Sequence, residues 1–282
     1  MLLMLVACSN NAVKDQSPSK DTSDSDYLPY YDSDPILAGE DFALHTGTAD
    51  LEVWFNNNYE LPDEPDEEWK LGEIGDWTAL GDFDGDGLDD FWQIVDESQK
   101  VKIYMNGGGS FETDASFEPT SGAGKKRPAI CGDFDGDGKD DMMLLNTTSG
   151  RALTFLNTAG EFDIDNKIAA ATSLGEVGDF AAADMDGDGT DDLVQLAGSD
   201  IRIWKVNDGL IDETEMMFSE LNLPGNVQAL GIDLDDDGIA SLALFSGSTL
   251  KLYANNGREI TVEVHKEYFL NKSGFALAGN IR

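Results

Sequence analysis

The chain repeats itself with a period near 50 residues, and this constrains its fold more than any other feature. An acidic loop recurs as DFDGDGLDD from Asp82, DFDGDGKDD from Asp133, DMDGDGTDD from Asp184 and DLDDDGIAS from Asp233, at intervals of 51, 51 and 49 residues. A second series keeps the same beat: LEVWFN, VKIYMN, ALTFLN, IRIWKVN and LKLYAN, with aromatics at Trp54, Tyr104, Phe155, Trp204 and Tyr253. These segments alternate apolar and polar residues and end in Asn or Gly, the pattern of a half-buried strand entering a turn. An apolar run follows each acidic loop (FWQIV, MMLLN, LVQLA, LALFS), and a short one such as WTALG or VQALG precedes it. Each repeat therefore reads as strand, acidic loop, strand, short turn, strand, turn and a weaker fourth strand.

Units of four short strands that cannot bury both faces alone are what propeller blades are made of. The first repeat lacks its front half, while the C-terminal FALAGNIR aligns with WTALGD at residues 77–82. A C-terminal strand is thus expected to complete the sheet begun by the N-terminal strands. The expected fold is all-β: a β-propeller over residues 33–282, with five four-stranded blades closed by pairing of the terminal strands. An open array, or a fragment of a larger ring, is the alternative arrangement.

At 282 residues the chain can bury roughly three quarters of its unfolded surface without disulfides. It carries 56 acidic residues against 18 basic ones, a net charge of −38, which repels nucleic acid and anionic membrane surfaces. Nucleic acid is excluded as a partner on this ground. The N-terminal MLLMLVACSN is an apolar run ending in Leu5-Val6-Ala7-Cys8 that resembles the lipobox of bacterial lipoproteins, although no Lys or Arg precedes it. It is too short to span a membrane and reads as a truncated signal peptide, residues 1–7. That resemblance implies a lipidated Cys8, a polar tether over residues 8–32 and a place in the bacterial cell envelope, at the outer membrane or cell surface.

The acidic loops offer oxygens at positions 1, 3, 5 and 9, with the backbone carbonyl of position 7, that converge if the glycines turn the chain sharply. In the first loop these are Asp82, Asp84, Asp86, Leu88 and Asp90, and in the second Asp133, Asp135, Asp137, Lys139 and Asp141. The third offers Asp184, Asp186, Asp188, Thr190 and Asp192, and the fourth Asp233, Asp235, Asp237, Ile239 and Ser241. Hard oxygen ligands in that number suit Ca²⁺. Three strong sites and a weaker fourth are expected, since Ser241 stands where the others have aspartate. Position 2 is apolar throughout (Phe83, Phe134, Met185, Leu234) and is expected to pin the loop to the core. An EF-hand shares DxDxDG but needs a Glu at position 12, where this chain has Gln93, Leu144 and Gln195.

The arrangement resembles the FG-GAP repeats of integrin α-subunit propellers and the VCBS repeats of bacterial surface proteins. The resemblance covers residues 33–282 and implies a calcium-binding propeller with a common role in adhesion or ligand recognition, here toward a protein or glycan at the cell surface. Five repeats are fewer than the seven blades of integrins.

An enzyme explains the acids less well. A glycosidase needs one carboxyl kept protonated, whereas a calcium cage keeps its carboxylates ionised. The repeats are nearly equal in length, which leaves no insertion to build a pocket, and His45 and His265 are isolated in sequence. Cys131 aligns with Leu80 and reads as a small buried side chain. A hydrolase site in the central channel is the remaining enzymatic alternative. A propeller lectin is the rival within the binding class, with the repeated aromatics and Trp69 as candidate sugar platforms, although core packing accounts better for the repeated ones.

Overall fold

The computed structural model describes residues 40–45, 50–57, 60–71, 77–95, 100–108, 110–111, 129–146, 150–158, 161–162, 168–171, 174, 179–197, 200–220, 227–233, 235, 237–261, 263–270 and 275–279. Cys8 and the expected tether lie outside the described residues, as do Leu234 and Asp236. All regular structure among the described residues is β.

The strands follow the repeats. First come β1 (Asp41–His45), β2 (Asp50–Trp54) and β3 (Glu67–Lys70), then β4 (Trp77–Gly81), β5 (Asp90–Val95) and β6 (Lys100–Tyr104). The next repeat gives β7 (Ala129–Gly132), β8 (Asp141–Asn146), β9 (Arg151–Phe155), the short pair β10 (Asn157–Thr158) and β11 (Glu161–Phe162), and β12 (Ile168–Ala171). It is followed by β13 (Phe180–Ala183), β14 (Asp192–Ala197), β15 (Asp200–Asn207) and β16 (Leu210–Glu220). The last are β17 (Gln228–Ile232), β18 (Ser241–Ser246), β19 (Thr249–Tyr253), β20 (Lys266–Phe269) and β21 (Phe275–Gly279). They assemble into antiparallel sheets ordered β21-β1-β2-β3, β4-β5-β6, β7-β8-β9-β12, β13-β14-β15-β16 and β17-β18-β19-β20, plus the β10-β11 ribbon.

One register serves all five larger sheets. The residue before each acidic loop faces position 9 of that loop: Gly81 opposite Asp90, Gly132 opposite Asp141, Ala183 opposite Asp192 and Ile232 opposite Ser241. Gly279 faces Asp41 in the same way, so the expected C-terminal strand does complete the first sheet. Directly after position 9, Phe91, Met142, Leu193 and Leu242 face Tyr104, Phe155, Trp204 and Tyr253, and Phe42 faces Trp54. A slip of one residue would turn every one of these aromatics to the opposite face.

The core lies between neighbouring sheets, where each sheet buries one face against the next. Phe42 packs edge-on to Trp54 and also meets Phe245 of β18, joining the first sheet to the last. The repeated aromatics are all buried, so packing is their use. The lead strands β4, β7, β13, β17 and β21 touch one another in that order, and β21 returns to touch β4. Their small residues permit the approach: a Cβ on Gly132 would sit 2.9 Å from that of Ala182.

Candidate metal centres

Each acidic loop joins a lead strand to the second strand of its sheet, and the local chain is dictated by glycine. In the first three loops positions 4 and 6 hold left-handed backbone, with φ of 80° and 91° at Gly85 and Gly87 and of 77° and 84° at Gly136 and Gly138. Such angles are costly for any residue with a Cβ. The bend lets the carboxylate of position 1 accept three backbone N–H bonds. In the second loop Asp133 Oδ1 accepts from Gly136 (2.7 Å) and Asp137 (3.1 Å), and Oδ2 from Gly138 (2.9 Å). Asp82 and Asp184 repeat this pattern. Asp233 accepts from Asp237 and Gly238. Beneath the loops Phe83, Phe134 and Met185 are buried, as their apolar character requires.

Four carboxylate groups result among the described residues. One oxygen of each of Asp82, Asp84 and Asp86 lies within 4.8 Å of the others, and the same holds for Asp133, Asp135 and Asp141, for Asp184, Asp186 and Asp192, and for Asp233, Asp235 and Asp237. Positions 1 and 3 thus enter every group, joined by position 5 in the first and fourth and by position 9 in the second and third. The amides of position 7, at Leu88, Lys139, Thr190 and Ile239, donate to the carboxylates of Asp86, Asp137, Asp188 and Asp237. Those four acids are thereby oriented within their loops.

Position 9 does more than face the loop. Asp141 Oδ2 accepts from Phe134 N at 3.1 Å, while Oδ1 accepts from Asn157 N at 2.7 Å, tying loop, second strand and third strand together. Asp90 does the same with Phe83 and Asn106, Asp192 with Met185 and Val206, and Asp41 holds Asn56. Ser241 has no carboxylate with which to do so.

The electrostatics are those of crowded, largely buried carboxylates. Burial first, and neighbouring aspartates next, push Asp90 up to about 7, and burial with Asp186 and Asp184 pushes Asp192 to about 8. Asp141 rises to about 9 through burial, aided by Asp135 and Asp133. Like charges this close raise one another's cost of ionisation unless a cation intervenes. Acid oxygens of this kind and number fit a hard divalent ion. In the third loop a cation is already supplied by the protein: the Lys205 ammonium, from β15, pairs with both Asp186 and Asp188. Burial raises Asp188, but the ammonium and the Thr190 hydroxyl and amide outweigh it and hold the carboxyl below its ordinary value.

Position 8 carries no ligand role in the sequence reading, yet Asp89, Asp140 and Asp191 are almost fully buried. The amide of position 8 donates to the carbonyl of position 1 in the preceding repeat: Asp140 to Asp82, Asp191 to Asp133 and Ala240 to Asp184, each at 2.8 Å. Glu40 N completes the series by donating to Asp233 O at 2.7 Å. Its side chain also caps that loop, Oε2 accepting from Asp233 N at 2.8 Å, as Asp191 Oδ2 accepts from Asp133 N at 3.1 Å. Position 7 adds a second stitch, because its side chain lies over the position-4 glycine of the preceding loop. A Cβ on Gly136 would meet Thr190 Cγ2 at 3.2 Å, and one on Gly187 would meet Ile239 Cγ1 at 2.9 Å. Lys139 reaches over Gly85 to donate to the Asp84 carbonyl. Asparagines at the end of the third strand make a third stitch: Asn157 Nδ2 donates to the carbonyls of Asp140 and Phe83, and Asn255 Nδ2 to those of Ala240 and Met185. The repeated Asp-Asp pair and the repeated Asn were the available signals for these roles.

Trp69 is no sugar platform. It is 4 % exposed, packs edge-on to Phe111 at 4.9 Å and donates from Nε1 to Glu67 at 2.6 Å. Cys131 is buried as expected, with the Trp92 indole N–H directed at its Sγ, while His45 is buried in β1 and His265 is exposed.

Known proteins bear on the repeats and the fold. No curated protein sequence matches the chain. A lectin from Agrocybe aegerita, whose structure concerns recognition of non-reducing terminal N-acetylglucosamine, is similar at 18 % identity and a TM-score of 0.47, over 72 % of this chain and 56 % of that one. This chain thus spans little more than half the length of that lectin. A protein of unknown function from Desulfotomaculum acetoxidans is similar at 12 % identity and TM-score 0.43, over 82 % of this chain and 80 % of that one. AofleA from Arthrobotrys oligospora is similar at 10 % identity and TM-score 0.39, over 87 % and 90 %. The profile of the FG-GAP-like repeat matches twice, at residues 82–144 and 133–194, each match running from one acidic loop into the strand that follows the next. Residues 82–194 are therefore built of FG-GAP-like repeats.

Proposed function

We propose that the chain is a calcium-stabilised five-bladed propeller that serves as a non-enzymatic binding module. The observation that carries the calcium reading is the recurrence of one carboxylate cage in four loops of identical register. The Asp residues at positions 1, 3, 5 and 9, with the position-7 carbonyl, would hold the ion, and in the fourth loop Ser241 leaves the set one carboxylate short. A bound ion would offset repulsion among acids that are otherwise crowded at each loop. Closure into five blades is supported by the β1–β21 pairing, which uses the register of the other sheets, and by the succession of touching lead strands.

Binding as the role rests on the FG-GAP-like repeats, and a protein or glycan at the cell surface is the partner class we favour. Lipid anchoring through Cys8 in the cell envelope belongs to the same reading and rests on the sequence LVAC.

Thermal unfolding with excess chelator against millimolar calcium tests the cage. Ion at about 100-fold over its dissociation constant stabilises by about 2.7 kcal/mol per site, so a rise in Tm of many degrees is expected, and an unchanged Tm rejects the cage. For the anchor, Cys8→Ser is expected to shift the protein from the membrane to the soluble fraction.

A further inference from the structure

We infer that Lys205 is a tethered counter-ion that withdraws the third loop from calcium binding, so that the loops at Asp82 and Asp133 are the high-affinity pair. The inference rests on the calcium reading of the four loops and assigns selectivity among them to one side chain.

Three observations carry it. The Lys205 ammonium pairs with the carboxylates of Asp186 and Asp188, at positions 3 and 5 of the third loop. Asp186 belongs with Asp184 and Asp192 to the carboxylate group that would receive the ion, so the ammonium sits on a member of that group. The position is purpose-built in the backbone: pairing of β15 with β16 shifts register between Trp204 and Val206. Sequence shows the same insertion, since Trp204 stands three residues before Asn207 whereas Tyr104 stands two before Asn106. At the place of Lys205 the other repeats carry Phe55, Met105, Leu156 and Ala254, none of which bears a charge.

Among the described residues Lys139 is the other lysine bonded to these loops; it donates to a backbone carbonyl of the first loop and leaves that loop's carboxylates to other partners. Among the described residues Lys205 is therefore the cation that competes for a cage. A calcium ion entering the third loop must displace an ammonium held by two charge-assisted bonds, and each loses strength in that exchange. The tethered cation also holds the loop in shape when calcium is scarce, because the acids it pairs with no longer face one another uncompensated.

Competition titration of the apo protein with a chromophoric chelator and calcium alone, on wild type, Lys205→Met and the milder Lys205→Gln, is the test. Wild type is expected to take up two equivalents in its tight phase and either variant three, the third loop tightening on the order of tenfold. Adding Asp184→Asn should leave wild type at two and return the variants to two. If Asp184→Asn removes a tight equivalent from wild type, or the variants gain none while the tight phase persists, the lysine inference fails and the calcium reading stands. If neither form binds calcium, the calcium reading fails, and chelator melts decide the lysine's remaining role. There a lower Tm for both variants supports the tethered counter-ion, and wild-type Tm overturns it.

Discussion

Glu40 and Asp233 are 193 residues apart, yet each donates a backbone N–H to the other: Asp233 N bonds Glu40 Oε2 and Glu40 N bonds Asp233 O. Glu40 thereby takes the place that Asp191 holds over Asp133, and a residue of the first repeat closes the fourth acidic loop. Glu40→Ala removes an acceptor from a partly buried amide, a loss of up to about 1.5–3 kcal/mol for a bond to a charged group. Differential scanning calorimetry should show Tm lowered by roughly 5–10 °C. An equal loss is not expected from an exposed acid of the same sheet, such as Glu68.

The position-4 glycines are constrained twice, by left-handed backbone and by the side chain of the following loop. Gly138, at position 6, has φ of 84° and open space where its Cβ would be, whereas Gly187, at position 4, has φ of 77° and Ile239 only 2.9 Å away. Gly138→Ala should therefore lose about 1–2 kcal/mol to backbone strain alone. Gly187→Ala should lose more, and Gly187→Ala combined with Ile239→Ala should recover part of the difference in chemical denaturation.

Stability without metal should fall as the solution becomes alkaline. Asp90, Asp192 and Asp141 titrate near 7, 8 and 9 in the fold, against about 3.9 in the unfolded chain, because burial penalises their charge. The folded state then holds protons that the unfolded chain has released. The stabilising contribution is complete below pH 4 and is lost as pH rises through the folded values. In chelator, Tm should fall on the order of 10 °C between pH 5 and pH 9. Calcium should suppress that slope and release protons on binding, measurable in buffers of different ionisation enthalpy.

The fourth loop should be the weaker of those without a tethered lysine. Ser241 faces Ile232 in the register that elsewhere sets Asp90, Asp141 and Asp192 opposite Gly81, Gly132 and Ala183. Ser241→Asp restores the missing carboxylate, and calorimetric titration should show this site tighten by roughly tenfold, since affinity follows ligand charge.

The period, the strands and the loops were legible because they depend on neighbours close in sequence. Phe83, Phe134 and Met185 had to be buried once the alternation within DxDxDG was recognised, and Trp54, Tyr104, Phe155, Trp204 and Tyr253 face core partners as their period-two pattern requires. Asp89, Asp140 and Asp191 were not legible in the same way. Alternation sends positions 8 and 9 to opposite faces of a strand, but only packing between repeats decides that the face of position 8 is covered. Glu40 was hidden because its loop is absent from its own repeat, and its role appears only against Asp233. Trp69, with no counterpart in the other repeats, reads in sequence as available for a ligand, and only the fold sets Phe111 against it.

The stitches between repeats redraw the boundary of the heritable unit. Residue choice at position 4 of one loop answers to position 7 of the next, as Gly187 answers to Ile239, and the carbonyl of position 1 answers to the amide of position 8 one repeat on. A segment cut from one strand turn to the next would carry half of each bargain and strand the other half. Shuffling, duplication or grafting should therefore succeed when the crossover points fall inside two neighbouring sheets, so that the module exchanged is a seam with its flanks rather than a sheet.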